Sequence, residues 1–286
     1  MRSFRESADL SATVLPSGFA PPGTPANTYS LSPKFQKTSP RLNLLWRYSA
    51  TGSAYATLSQ GFRSGGFNTP PGLPPSYGPE DITTFELGNK GSLVGDRLQY
   101  EVAVYQSRYN NIQSQDLAPG CTPATCRATT VNSGTASGPG LDASVSWQVD
   151  RGLSVDASLG FSDLTYTVNT AERNKGDPLN FVPKLTGALS VTQRFNWASG
   201  MPGMWRVDLQ HADAVPFIIR NQGVNAHADA TNYLNARVGL ELPTWQLYLD
   251  GKNLNNFKGV LQPALFGVPA TRSAPRSLGL TLRAQF

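Results

Sequence analysis

The sequence predicts an all-β fold, an antiparallel up-and-down transmembrane β-barrel of which about eleven strands are present as part of a larger barrel. Three observations carry that prediction. Apolar and polar residues alternate strictly through long runs, as they must on a strand whose successive side chains point to opposite faces. The runs extend for roughly 10 to 16 residues, longer than the 5 or 6 usual in soluble proteins and enough to cross a bilayer at a tilt. Short and long connections take turns along the chain, which an up-and-down barrel with short periplasmic turns and long external loops requires and a Greek-key sandwich does not.

Alternation begins at about 34 to 48, with Leu42, Leu44, Trp46 and Tyr48 on one face, and continues through 53 to 66. The segment ending Phe85-Glu86-Leu87-Gly88 to Leu93 pairs with Arg97 to Tyr109 across Val94-Gly95-Asp96. Leu141 to Val149 and Leu153 to Phe161 form a hairpin around Asp150-Arg151-Gly152, a tight turn. Runs at 182 to 195 and 204 to 213 follow, then a hairpin from Leu234 to Leu242 and Trp245 to Leu249 across Pro243-Thr244. The last strand sets Leu278, Leu280, Leu282, Ala284 and Phe286 against Ser277, Gly279, Thr281, Arg283 and Gln285. Connections near 49 to 52, 94 to 96, 150 to 152 and 243 to 244 are short, with 196 to 203 somewhat longer; those near 67 to 81, 114 to 127, 166 to 181, 214 to 231 and 254 to 276 are long.

Parity places the termini. With the last strand ending in the periplasm, the first of eleven begins outside near Lys34, so residues 1 to 33 are the end of a preceding strand plus an external loop, and 34 to 286 the C-terminal portion of a barrel. An odd number of antiparallel strands cannot close with normal pairing, so further strands are expected on the N-terminal side.

Composition supports strands and turns over helices. Charged residues make up 15% of the chain, while Gly (27) and Pro (22) are abundant. No run of 18 or more apolar residues exists for a membrane helix, but a barrel leaves no such hydropathy peak. The formal charge of +5 comes from scattered Arg and Lys without a basic run, so no nucleic-acid partner is expected. The start, Met1-Arg2-Ser3-Phe4-Arg5-Glu6, lacks the apolar core of a secretory signal. An outer-membrane protein needs one, so the chain is expected to be a fragment of a longer protein. Cys121 and Cys126, inside a polar loop, read as a small disulfide of an oxidising compartment or as two unpaired thiols; they make a poor zinc site.

Several motifs resemble those of TonB-dependent outer-membrane receptors. Tyr55-Ala56-Thr57-Leu58-Ser59-Gln60-Gly61-Phe62-Arg63-Ser64-Gly65-Gly66-Phe67-Asn68 is similar to a recurring barrel strand of that family, and Pro79-Glu80 with Phe85-Glu86-Leu87-Gly88-Asn89-Lys90-Gly91 to the next. Val131-Asn132-Ser133-Gly134 leading into Gly140-Leu141-Asp142-Ala143, then Gly251-Lys252-Asn253-Leu254-Asn255-Asn256, then Pro275-Arg276-Ser277, occur in the family's order, so the match covers about 34 to 286. The resemblance implies energised uptake of a scarce nutrient, most readily a ferric siderophore. Cobalamin and sugars are other cargoes of similar receptors. Signal sequence, coupling box and globular plug are absent from this sequence, so TonB and a plug would be partners only of a full-length parent, and the fragment alone is expected to be transport-incompetent.

Candidate sites follow from the same frame. Phe286, ending an alternating strand, resembles the assembly signal read by the outer-membrane insertion machinery. Trp46, Tyr48, Trp147, Trp197, Trp205 and Trp245 fall near strand ends on the short-turn side, as an aromatic girdle at the lipid and lipopolysaccharide interface requires, although packing inside a soluble sheet would also use them. Arg97, Glu101, Asp142, Asp156, Asp208, Arg237, Glu241, Asp250 and Arg283 occupy the polar face and are expected to line the lumen.

No enzyme, cofactor or metal centre is expected. The carboxylates lack a partnered base and nucleophile, and Gly61-Phe62-Arg63-Ser64-Gly65-Gly66 lacks the ending of a phosphate loop. His211 and His227 are too few for a metal site and read as loop or rim residues. Contacts to a small-molecule nutrient are expected from loops 67 to 81, 166 to 181, 214 to 231 and 254 to 276. Two other classes compete: a plug-free porin-like channel and a soluble β-rich binding protein.

Overall fold

A computed structural model describes residues 2–7, 10–14, 27–31, 34–68, 76–117, 128–198, 200–220, 223–264 and 268–284. Eleven strands follow one another in a single antiparallel sheet, each hydrogen-bonded to its sequence neighbour. They are β1 Arg41–Arg47, β2 Gly52–Arg63, β3 Glu80–Leu93, β4 Leu98–Asn110, β5 Ala136–Gln148 and β6 Leu153–Ser162. Then come β7 Leu185–Asn196, β8 Pro202–Ala212, β9 Thr231–Glu241, β10 Trp245–Lys252 and β11 Ser277–Ala284. Strand number, order and the parity of connections agree with the alternation in the sequence. The sheet is open: β1 and β11 do not pair with each other.

Short turns at 48–51, 94–97, 149–152, 197–201 and 242–244 lie at one end, and long connections at 64–79, 111–135, 163–184, 213–230 and 253–276 at the other. Four of the long connections carry small hairpins of their own: Gly66–Phe67 with Ser76–Tyr77, Gln113–Leu117 with Ala128–Asn132, Val215–Ile219 with Val224–Ala228, and Val260–Gln262 with Thr271–Arg272. Near the N-terminus, Arg2–Ser7 pairs antiparallel with Lys34–Ser39, the segment that runs through Pro40 into β1.

Register decides which side chains share a face, because directly opposed residues project to the same side. Leu44, Ala56, Leu87, Val104, Leu141, Phe161 and Leu185 form one transverse row on seven consecutive strands. Trp147, Val155, Val191, Val207, Ala236, Gly251 and Leu278 form another on the same face. The reverse face carries Arg47, Ser53, Lys90, Glu101, Ser144, Ser158, Ala188, Gln210 and Tyr233 in one row. A slip of one residue in any pair would mix the two sets.

Among the described residues, no second layer covers the apolar face. Trp46 is 68% exposed and Leu280 73%, and Leu42, Leu44, Val104, Leu159 and Leu209 are exposed as well. In water, so large a continuous apolar surface would drive aggregation. The buried hydrophobic cluster of the described residues lies elsewhere, at the long-connection end: Ile112 and Tyr166 of the connections with Ala136 at the start of β5, flanked by Tyr109 and Leu179.

Candidate functional site

Side chains of the polar face line a recess of 930 Å³ that reaches from the β1–β2 turn to Ser190 of β7 and includes Lys90, Glu101, Ser144 and Asp156. One recess shared by strands so far apart in the sheet follows from a wall curved toward its polar side. Several charges on that face are paired locally. Arg206 and Arg237 oppose each other directly across β8 and β9, a like-charge pair that would be unfavourable alone. Each is held by its own carboxylate: Arg206 by Asp208 at 2.7 Å, Arg237 by Asp250 at 2.6 Å. Ser190 donates to Asp208, Thr281 to Asp250 at 2.8 Å, and the Arg237 guanidinium lies 4.8 Å above the Tyr248 ring. Farther along, Arg194 reaches Glu241 at 3.2 Å and Ser146 donates to Asp156 at 2.7 Å.

Tyrosines fill the places where that face has glycines. Tyr55 covers Gly88 and Tyr105 covers Gly140, so closely that a Cβ would sit 2.2 Å and 2.1 Å from the rings. Glycine is required there by close approach of a ring.

Of the residues expected in the lumen, Glu101, Asp142, Asp156, Asp208, Arg237, Glu241, Asp250 and Arg283 all fall on this one face by register. Arg97 sits in the β3–β4 turn, where it donates to the carbonyls of Val94 and Val149 at 3.3 Å and so ties two neighbouring short turns together. Trp46, Trp147, Trp205 and Trp245 lie on the opposite, apolar face near the short-turn end. Tyr48 follows β1 and folds back on that side: its ring meets Trp46 edge-on at 5.7 Å, and its hydroxyl lies 3.2 Å from both Asn89 and Tyr100. The two tyrosine hydroxyls donate to the Asn89 Oδ1, a polar atom on an otherwise apolar row. Trp197 packs against Phe195 at 4.9 Å and stands over Gly203. His211 bonds Asn232 at 2.8 Å and Asp213 at 3.2 Å at the outward end of β8. His227 lies in the hairpin opposite Pro216. Cys121, Cys126 and Phe286 lie outside the described residues.

At the long-connection end a second pocket, of 390 Å³, is assembled from pieces far apart in sequence. Arg63 ends β2 and Glu80 begins β3, paired at 2.9 Å. Tyr109, Ile112, Gln113, Ser114 and Gln115 come from β4 and the connection after it, Tyr166, Leu179, Asn180 and Phe181 from 163–184, and Phe217 from 213–230. The last two connections are clamped together. Asn180 acts as an extra strand residue, donating to the Ile218 carbonyl at 3.1 Å and accepting from its N–H at 3.0 Å. Arg220 forms a two-pronged ion pair with Asp177 and its N–H donates to the Glu172 carbonyl at 2.9 Å. That guanidinium holds the Asp177 carboxyl below the usual carboxylate range. Tyr166 is 1% exposed with its hydroxyl unpartnered, and Arg173 is buried 5.7 Å from its ring.

Sequence reasoning pointed to the connections 67 to 81, which holds Glu80, 166 to 181 and 214 to 231, but not to Arg63, Tyr109 or Ile112. A signal was present: Leu179-Asn180-Phe181 and Val215-Pro216-Phe217-Ile218-Ile219 are apolar clusters within external loops, where water alone would favour polar residues.

The fold is shared with solved outer-membrane receptors. The ferric yersiniabactin uptake receptor FyuA from Yersinia pestis superposes with a TM-score of 0.76 at 16% identity, over 91% of this chain and 39% of that one. The ferric-catecholate import receptor Fiu from E. coli K12 gives 0.75 at 15% identity, over 99% of this chain and 41% of its own. The siderophore receptor PiuA from Acinetobacter baumannii gives 0.70 at 16% identity, over 92% and 38%. The chain therefore spans about two fifths of the length of these receptors. The family model for the TonB dependent receptor-like β-barrel matches residues 10–254, most of the sequence, and the chain belongs to that family.

Proposed function

We propose that the chain forms the C-terminal part of the barrel wall of an outer-membrane receptor for energised import of a scarce nutrient, most readily a ferric siderophore. The family consists of receptors and transporters of the bacterial outer membrane, not of enzymes. The observation that carries the finer reading is the exposed apolar face opposite a polar, partly ion-paired one, with every long connection at the same end. Lipid is the solvent that suits the first face, and a lumen filled by water or protein suits the second.

The tryptophans support this orientation. Trp46 lies in the row of Val102, four residues outward of the row through Leu98 and Trp147; Trp205 and Trp245 lie two and six residues to the other side of that row. The line of tryptophans thus descends ten residues over the nine steps from β1 to β10. At about 3.3 Å per residue and 4.8 Å per strand, placing them at one depth tilts the strands by about 37°, inside the range for membrane barrels. An aromatic girdle at the periplasmic interface accounts for that line.

Closure of the channel, a plug, and contact with TonB would come from further parts of a full-length parent. An unpaired strand edge is costly in lipid, so the eleven strands alone are not expected to transport. The reading is tested by fractionating cells that express the chain and treating intact cells with protease. Recovery in outer membranes with cleavage confined to the long connections supports it. A monomeric, folded chain in the soluble fraction overturns it.

A further inference from the structure

We infer that Asp177 is exchanged between two arginines, Arg220 and Arg173, and that this exchange is the latch by which connections 163–184 and 213–230 join and part. In the joined arrangement Arg220 of 213–230 holds the carboxylate. In the other, Arg173 of 163–184 takes it and the two connections separate. The inference goes beyond the receptor reading and depends on no particular cargo.

Arg173 is the anomaly that points there. Its side chain is fully buried, at 0% exposure, yet its Nε and Nη2 have no hydrogen-bond partner. Those two groups form the edge of a guanidinium that grips a carboxylate through two parallel bonds. The remaining nitrogen, Nη1, donates to the Glu172 carbonyl at 2.8 Å, and the Tyr166 ring 5.7 Å away adds a weak aromatic contact. A buried charge with an empty fork carries a desolvation cost that a facing carboxylate would offset.

Such a carboxylate adjoins it. The Glu172 carbonyl that accepts from Arg173 also accepts from the Arg220 N–H at 2.9 Å, so the buried guanidinium lies against the backbone of the arginine that holds Asp177. Asp177 belongs to the same connection as Arg173. Its carbonyl accepts from the Tyr166 N–H at 2.9 Å, its Oδ2 from the Asn174 N–H at 2.8 Å, and the Arg173 charge contributes to the lowering of its carboxyl.

Arg220 grips Asp177 with the very edge that Arg173 leaves empty, Nε at 3.0 Å from Oδ2 and Nη2 on Oδ1. The half-exposed arginine, at 46%, is thus satisfied while the buried one is not. Burial alone favours the reverse, since water solvates a freed Arg220 but does not reach Arg173. The joined arrangement is held by the rest of the clamp, Asn180 on Ile218 and the Arg220 N–H on Glu172. The two arrangements therefore compete, and loosening the clamp passes Asp177 to Arg173 without leaving a carboxylate unpaired.

A double-mutant cycle separates exchange from a packing role. Hydrogen exchange at the amides of 163–184 is followed by mass spectrometry on the full chain in detergent, with heat-modifiable migration as the check that the wall is folded. With Arg220 present, Arg173→Met removes both the competitor and the unpaired charge, and exchange should slow about tenfold. In the Arg220→Gln background Arg173 is the partner left to Asp177, so the same substitution should speed exchange about tenfold. Arg173→Gln, run in parallel, should reverse sign in the same way and guards against a misfit peculiar to methionine. Slowing in both backgrounds would mean a buried charge with no second role, and speeding in both a structural prop. Either result, or no change in either background, overturns the inference. A reversal confined to one of the two substitutions is a packing effect and also counts against it.

Discussion

Two neighbouring residues of β8, Leu209 and Gln210, should respond oppositely to the same substitution if the apolar face meets lipid. Leu209 is 47% exposed and opposes Leu189 and Leu234 on the adjacent strands; Gln210 opposes Ala188 and Tyr233 on the polar face. Leu209 stands four residues outward of Trp205. With strands tilted by about 37°, each residue rises roughly 2.6 Å along the membrane normal, which puts Leu209 about 10 Å above the girdle and close to the middle of a 25 Å apolar band.

An arginine there costs roughly 2 to 4 kcal/mol, or about thirty- to a thousandfold in the folding equilibrium, because the charge must be dragged toward the interface or the bilayer deformed around it. Gln210→Arg faces the lumen and should stay within about 0.5 kcal/mol of the parent. Equilibrium guanidinium titration of the chain in phospholipid vesicles, followed by tryptophan fluorescence, measures both. In water the argument gives no asymmetry, since an exposed leucine can become arginine at almost no cost. Equal stabilities for Leu209→Arg and Gln210→Arg would therefore refute the assignment of faces.

Three further outcomes are expected. Asp177 is held below the usual carboxylate range by Arg220, so the tie between the two outer connections is complete above about pH 3.9 and is lost as the pH falls through the lower folded value; limited proteolysis of 163–184 across that range reads it, and Arg220→Gln should make the segment protease-sensitive at neutral pH. Tyr166→Phe removes a buried hydroxyl that has no partner, and thermal unfolding should show a change between zero and a gain of about 1 kcal/mol. Asp150, whose carboxyl is held low by the N–H groups of Gly152 and Leu153 at 2.7 Å and 2.8 Å, pins the β5–β6 turn; Asp150→Ala should speed hydrogen exchange at those two amides while leaving β5 protected.

The wall was legible because a period of two is unforgiving. Once Val145 and Trp147 face one solvent, Ser144 and Ser146 must face the other, and the short turn at 149–152 fixes how Leu153 to Phe161 pair with them. Eleven aligned runs of this kind leave little freedom in sheet order. The aromatic line was legible for the same reason, although its obliqueness needs the register. The outer pocket was not legible, because its parts obey no period. Tyr109 is the twelfth residue after a turn, Ile112 and Phe181 sit in irregular connections, and their convergence depends on the clamp between Asn180 and Ile218. Nor does composition foretell a phenylalanine at positive φ; that follows from constraints imposed by Pro216 and Asn180 after folding.

The distribution of burial inverts that of a soluble protein, and the inversion has a physical cause. Tyr166, Arg173, Phe217 and Ile219, all in long connections, are among the most completely buried side chains, whereas the strands expose Leu42, Leu44, Leu280 and Leu282. A strand wall in lipid needs no protein core on its outer side, because hydrocarbon itself removes those leucines from water. The outer connections have water around them and must build a core of their own or remain loose. They build one from Ile112 and Tyr166 against Ala136 at the outer end of β5, and the ion pair and side-chain bridge between 163–184 and 213–230 tie the neighbouring connection to it. The two cores are therefore energetically separate. Phe217→Ala should loosen the outer connections and the pocket, by the few kcal/mol typical of a buried aromatic, while the guanidinium midpoint of the wall moves little. A common loss of both would mean that the strands depend on the cap, and lipid would then not be the solvent that stabilises the wall.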